Sequence, residues 1–420
     1  MAETIKMRVP EPLPHASALA PLREPLFRSL WIAAVISYTG TWMQNVGAGW
    51  LMTTLTMSPF KVGMVQAAAT LPVFLVILPA GALADMVDRR RLLLFAQTWM
   101  VLASATLGVL TLFQVVTPWV LLLFTFLLGL GAVMNDPAWQ AITPEVVSTE
   151  QHAAAVALNS AGFNVARAVG PAVGGIVVAS AGCGITFLLN AVSFLGVILF
   201  LYHWKRRGHE RVETGRVFDA IKSGFSYVRK SSVVKSVLIR TGAFSLAASA
   251  IWALLPIIAR PHGATGYGIL VGSFGTGALA GAAVLPRLRR QLSVDGVVAF
   301  AILVFAAVSF VAGRVHEFGP LCAVLFLGGT AWIGILACLN TAAQTMSPDW
   351  VRARALSMYL LVLQGGMALG SAAWGALATR IGVPGALLCS AIALLVGLST
   401  IRRHRLSARD VALAPSVVRD

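Results

Sequence analysis

Apolar runs broken by brief polar stretches recur along nearly the whole chain, and each run is long enough, at about 20 residues, to cross a bilayer as a helix. The pattern predicts twelve spans, at 27–54, 61–83, 92–115, 118–140, 152–180, 183–203, 234–259, 266–286, 294–313, 319–345, 353–379 and 382–401. Most connections between them are short. The longest break, at 204–233, carries Phe218, Ile221, Phe225 and Val228 at helical spacing, with Asp219, Lys222, Arg229 and Lys230 on other faces. That spacing predicts a helix lying on the membrane surface and acting as a linker between two six-helix halves.

Composition agrees with this reading. Of 420 residues, 58% are hydrophobic and only 11% charged, with a mean hydropathy of +0.82, which excludes an ordinary soluble protein. A net charge of +16 suggests nucleic acid in a soluble protein, but here the arginines fall at alternate ends of the spans. Arg89 to Arg91, Lys205 to Arg207, Arg287, Arg289, Arg290, Arg352, Arg354, Arg402, Arg403 and Arg405 share one set of loops, and the other set holds little beyond Lys61, Arg260, Arg314 and Arg380. Because positive residues stay on the cytoplasmic side, both termini are expected there, in a bacterial-type inner (plasma) membrane. The expected organisation is a disordered tail over 1–24, bundles over 25–203 and 234–404, the linker over 204–233, and a second tail over 405–420. No signal peptide is expected in the first tail.

The halves repeat weakly. At an offset of 204 residues, 136–147 overlies 340–351, matching Ala138 with Ala342, Gln140 with Gln344 and Pro144 with Pro348. At 200, the stretch 170–175 overlies 370–375, and 81–90 overlies 281–290. Duplicated halves of this kind place a substrate pathway along their interface, near the bilayer midplane.

Two motifs stand in fitting spans. Residues 81–90, GALADMVDRR, resemble the loop between the second and third helices of the major facilitator superfamily, with Gly81, Asp85, Arg89 and Arg90 matching and Asp88 standing where glycine is usual. Residues 166–175, ARAVGPAVGG, resemble that superfamily's antiporter motif through Gly170, Pro171, Gly174 and Gly175. The segments PAWQA (137–141), Pro144 with Glu145, and NSAGFNVAR (159–167) resemble the branch containing enterobactin exporters and related secretion transporters. The resemblance implies an all-α major facilitator fold, export of a small organic molecule (siderophore-like, drug-like or otherwise amphiphilic) by alternating access, and exchange for protons. It also implies that Asp85 and its neighbours latch the halves on the cytoplasmic side.

Arg167 lies about fifteen residues into the fifth span, where a lone charge costs at least about 2.5–3.5 kcal/mol. At 100° per residue it shares a face with Asn159, Ser160, Phe163, Asn164, Gly170, Pro171 and Gly174, opposite Val165, Val169 and Ile176. Such a stripe faces protein or water. Arg167 is therefore read either as an interhelical clamp or as part of the path. Asp136, near the end of the fourth span, is the best candidate for a buried titrating group, although a helix-end acid is the plainer reading. Tyr38, Thr41, Trp42, Asn45 and Gly49 form a stripe on the first span, and Asn340 and Gln344 stand one turn apart on the tenth. These residues offer hydrogen bonds and aromatic surface to an amphiphilic ligand.

No metal spacing appears among the four cysteines and seven histidines, and no G-x-x-x-x-G-K-[ST] loop is present. No metal, cofactor or nucleic acid is expected, and no enzymatic activity. The expected partners are a small-molecule substrate, protons and membrane lipids, with the protein acting as a monomer. An importer of the same fold, or a membrane sensor or scaffold, is the alternative.

Overall fold

A computed structural model describes residues 19–204, 231–345 and 347–403, with the side chains of 78–86, 140, 141, 143, 144, 233, 349, 350, 353, 402 and 403 excepted. The expected linker helix, most of the first tail and all of the second lie outside the described residues. Residues 20–23, placed by the sequence in the first tail, form a 3-10 turn with Pro21 buried.

Every long described element is a helix: α1 (Pro25–Leu55), α2 (Pro59–Met86), α3 (Arg89–Leu112), α4 (Pro118–Val146), α5 (His152–His203), α6 (Ser232–Ile258), α7 (Gly263–Gln291), α8 (Val294–Ala312), α9 (Phe318–Thr345), α10 (Asp349–Gly397) and the short α11 (Ser399–Arg403). Local chemistry sets the starts. Proline opens α1 and α4, where its missing N–H costs nothing. Side chains of Asp88, Thr117, Ser231 and Ser293 cap the first turns of α3, α4, α6 and α8.

Among the described residues, nine helices are long and apolar enough to cross a membrane. Two of them, α5 and α10, each cover two of the sequence-predicted spans and break at Gly182 (φ 84°) and Gly382 (φ 77°), in the left-handed region that favours glycine. The chain reverses at both breaks. Before Gly182, α5 runs parallel to α1, with Gly162 against Val35 and Gly174 against Met43. After it, the course is antiparallel, with Gly184 against Leu112 of α3 and Arg90 against the Leu201 carbonyl. In α10, Gly366 and Gly370 meet Ser245 and Ser249 of α6 in parallel order, and beyond the break Ser390 reaches back to the Ala247 carbonyl at 2.8 Å. The 200-residue offset seen in the sequence also separates the two breaks.

The N-terminal helices α1–α5 and the C-terminal helices α6–α10 meet along two seams, α2 with α10 and α5 with α7. Both seams are made by small residues that let backbones touch. Gly175 packs on Ala264 and Gly268, while Gly375 packs on Pro59 and Phe60, so the two seams mirror each other. These contacts lie toward the end bearing the arginine-poor loops 56–58, 113–117, 259–262 and 313–317. The C-terminal core is aromatic: Phe244, Phe274, Phe305 and Trp332 cluster with centroids 5.4–6.4 Å apart.

Candidate substrate cavity

Between the two sets of helices lies a cavity of about 370 Å³, walled by α1, α2, α4 and α5 on one side and by α6, α7, α9 and α10 on the other. Arg167 is the one lysine, arginine or acidic residue among its described lining residues. Val165, Val169 and Ile176 are 51%, 50% and 54% exposed on the outer face, while Gly170, Pro171 and Gly174 are buried inward. Arg167 itself is half-buried, and its Nε and Nη2 are enclosed without a hydrogen-bond partner. Its backbone carbonyl abuts Gly275 of α7, so the side chain leaves the helix beside the seam between the halves.

A second embedded arginine makes the contrast. Arg240 on α6 is 3% exposed and donates to Asp295 at 2.5 Å. Sequence reasoning passed over it because its partner lies 55 residues away on another helix. A buried guanidinium held by an acid is a structural element. Arg167 has no such acid within the cavity wall.

Aromatic groups complete the cavity. Trp42 and Phe163 (centroids 6.5 Å apart) face it from the N-terminal helices, and Trp252, Trp332 and Tyr267 face it from the C-terminal ones. Trp252 and Trp332 meet edge to face at 5.9 Å, and the Trp252 indole N–H has no partner. Trp252, Tyr267, Trp332, Gln66 and Gln364 are absent from the sequence-derived candidates. Nothing in the sequence singles out these tryptophans, but a glutamine inside a predicted span was a signal in plain view.

Asn45 and Phe163 also border a second cavity of about 270 Å³ enclosed by α1–α5, which brings in Tyr38 and Asp136. Asp136 is exposed to it. Tyr38 stands close to Asp136, bonds Trp139, and meets Phe163 edge to face at 5.3 Å. Beneath lies a buried polar knot in which Ser104 and Asn190 both donate to Gln44 Oε1 at 2.6 Å.

Other candidates lie elsewhere. Asn164 turns back to the Ser160 carbonyl at 2.8 Å, and Asn340 accepts from Gln344 at 2.5 Å; neither pair, nor Asn159, lines these two cavities. Gly170 and Gly174 press on Thr39, Trp42 and Met43 of α1, and Pro171 and Gly175 on Gly268 of α7, so the motif packs between two helices. In the loop motif, Gly81 and Asp85 fall at the end of α2, where side chains are outside the description. Asp88 caps α3 by accepting from the Arg91 N–H at 2.9 Å. Arg89 pairs with Glu145 at 3.1 Å, and Arg90 donates to the Leu201 and Tyr202 carbonyls at 2.7 and 3.0 Å.

A polytopic helical protein with a central cavity between two seamed sets of helices is a membrane transporter of the major facilitator type. The chain belongs to the transmembrane secretion effector family of that superfamily, whose family model matches residues 16–418. It is 24% identical to the staphyloferrin A transporter of Staphylococcus aureus over 62% of this chain and 66% of that one. It is 25% identical to the enterobactin exporter EntS of Salmonella typhi over 91% of this chain and 94% of that one. In fold it is similar to the crystal structure of a bacterial homolog of the human lysosomal transporter Spinster in an inward-facing, unoccupied conformation (TM-score 0.74, 14% identity, covering 93% of this chain and 98% of that one).

Proposed function

We propose that the protein is a secondary active exporter that moves a small organic molecule carrying an acidic group out through the bacterial inner membrane, in exchange for protons. The observation that carries this reading is Arg167, whose Nε and Nη2 are enclosed at the central cavity wall without a partner. Burying that charge is costly, and a ligand carboxylate or phenolate offsets the cost through a planar, charge-assisted contact. The aromatic walls then hold the ligand's apolar body. Two relatives, the staphyloferrin A transporter and the enterobactin exporter EntS, support a transported small molecule, and the second supports the outward direction.

On this reading the chain crosses the membrane twelve times. Helix α1, with 31 residues, adds one crossing to the nine long apolar helices, and the reversals at Gly182 and Gly382 add two more. The two six-helix bundles span 25–203 and 234–404, and both termini are cytoplasmic by the arginine distribution. With the arginine-poor end outside, the seams at Gly175 and Gly375 close the outer side, and the protein is an inward-facing monomer. Alternating access breaks those seams and forms others near Asp85 and the arginine loops.

The test is transport into sealed inverted vesicles with an acid interior, using aryl carboxylates as probes. Accumulation that collapses with a protonophore supports proton-coupled export. Uptake only in the opposite vesicle orientation makes the protein an importer, and binding without movement makes it a sensor.

A further inference from the structure

The two cavities carry opposite charge. Arg167 is the sole lysine, arginine or acidic residue among the described lining of the central cavity, and Asp136 holds that position in the second. They meet at Asn45, Thr125 and Phe163, and Phe163 is one helical turn from Arg167. Among the described residues, no lysine, arginine or histidine lines the second cavity, and Tyr38 is the one other titratable residue in its walls.

The hydrogen bonds around Asp136 leave acceptors over. Gln97, 2% exposed on α3, donates through Nε2 to Asn135 Oδ1 at 2.9 Å, and the Asn135 side chain in turn bonds Asp136. The Gln97 Oε1 is left enclosed with no partner. A carboxylate on the cavity wall, with an unpartnered amide oxygen enclosed in the same wall, favours a group that only donates. An ammonium fits, since it has three donors and no acceptor, and Tyr38 and Phe163 place aromatic rings in the same cavity wall. Size argues against a bare metal cation. A volume of about 270 Å³ is roughly nine times the share of one liquid water, whereas a small ion needs oxygens packed close around it.

We propose that the transported solute is a zwitterion that spans both cavities, with its acid on Arg167, its apolar body against Phe163 and Trp42, and its protonated amine held by Asp136 and Gln97. The acid half of this assignment rests on the reading of Arg167 given above. The amine half stands on the second cavity alone.

The test uses the full chain in lipid nanodiscs, with tryptophan fluorescence as the readout because Trp42, Trp252 and Trp332 line the central cavity. The probes are aminoalkyl benzoates of increasing chain length, alkyl benzoates of the same lengths without the amine, and matching alkylamines without the acid. At the best-fitting length the zwitterion is expected to bind about tenfold or more tighter than the amine-free acid. Asp136→Asn should erase that preference while the amine-free acid still binds, which also reports an intact fold. Gln97→Leu should erase part of it. Equal binding of both acids at every length, or a preference that survives Asp136→Asn, overturns the ammonium site and leaves Arg167 untouched. So does an Asp136→Asn variant in which only the pH dependence of acid binding changes, since Asp136 is then a proton site. Conversely, alkylamines held through Asp136 while no acid binds would sink the Arg167 reading and keep the ammonium site.

Discussion

Arg260 Nη2 donates to the Thr53 carbonyl at 2.7 Å, tying the loop before α7 to the last turn of α1 across the two sets of helices. The same atom reaches the Thr56 carbonyl at 2.8 Å. A guanidinium on the free carbonyls of a helix C-terminus meets the negative end of the helix dipole. On the alternating-access reading, the contact breaks when the arginine-poor end opens.

Arg260→Gln is therefore expected to loosen that end. Hydrogen bonds to a charged group are worth about 1.5–3 kcal/mol, so losing this pair should shift the conformational balance by roughly tenfold or more toward the opposite state. Spin labels at Met57 and Arg380, both exposed near this end, measure the shift as a longer distance population. An unchanged distance distribution would show that the arginine does not latch the closed end.

The glycine seam gives a second handle. A Cβ on Gly175 would stand 2.6 Å from the Ala264 carbonyl oxygen, which is backbone and cannot swing away. Gly175→Ala should cost about 1–3 kcal/mol in the closed seam, cutting transport while the folded yield stays near normal. Gly319→Ala, where nothing lies within 4 Å, is the matched control. Equal transport by the two variants would mean that the seam does not need its close approach.

How far the sequence reached is clear from particular residues. The hydrophobic runs located every long helix to within a few residues, because a bilayer demands about 20 apolar residues in a row whatever the packing. They also separated 152–180 from 183–203, and the backbone leaves helical geometry between these two at Gly182 (φ 84°, ψ 167°). The 200-residue repeat reappears as the mirrored seams at Gly175 and Gly375. Within the site, Trp42, Asn45 and Arg167 come to one cavity, and Tyr38, Asn45 and Asp136 to the next, because each sits on the inner stripe of its own helix. What the sequence did not offer were facts of partnership. That Arg240 meets an acid while no described residue of the cavity wall is an acid for Arg167, or that Trp252 and Trp332 line the same cavity as Arg167, depends on how separate helices pack.

The loop motif supplies a further expectation. The described contacts of Arg89 and Arg90 stay within the N-terminal helices, to Glu145 and the end of α5. They brace the start of α3, just after the end of α2 that carries Asp85. If Asp85 latches the halves when the cavity opens outward, Asp85→Asn should slow turnover severalfold with membrane abundance near wild type, because the amide keeps the shape and loses the charge. Turnover measured in proteoliposomes at matched protein amounts decides it. A wild-type rate would leave this acid as a topological anchor.

The central claim is that Arg167 is a ligand-facing charge. The most direct measurement is transport per folded molecule in liposomes with an imposed pH gradient, read beside thermal melting, for Arg167→Lys and Arg167→Gln. Lysine keeps the charge and loses the planar fork; glutamine keeps some hydrogen bonding and loses the charge. The account predicts partial transport by the lysine variant, almost none by the glutamine variant, and melting temperatures close to wild type for both, since no protein group is left unpaired by either change. Two variants that lose stability together while transport per folded molecule holds at the wild-type level would contradict it, and Arg167 would then be a structural clamp.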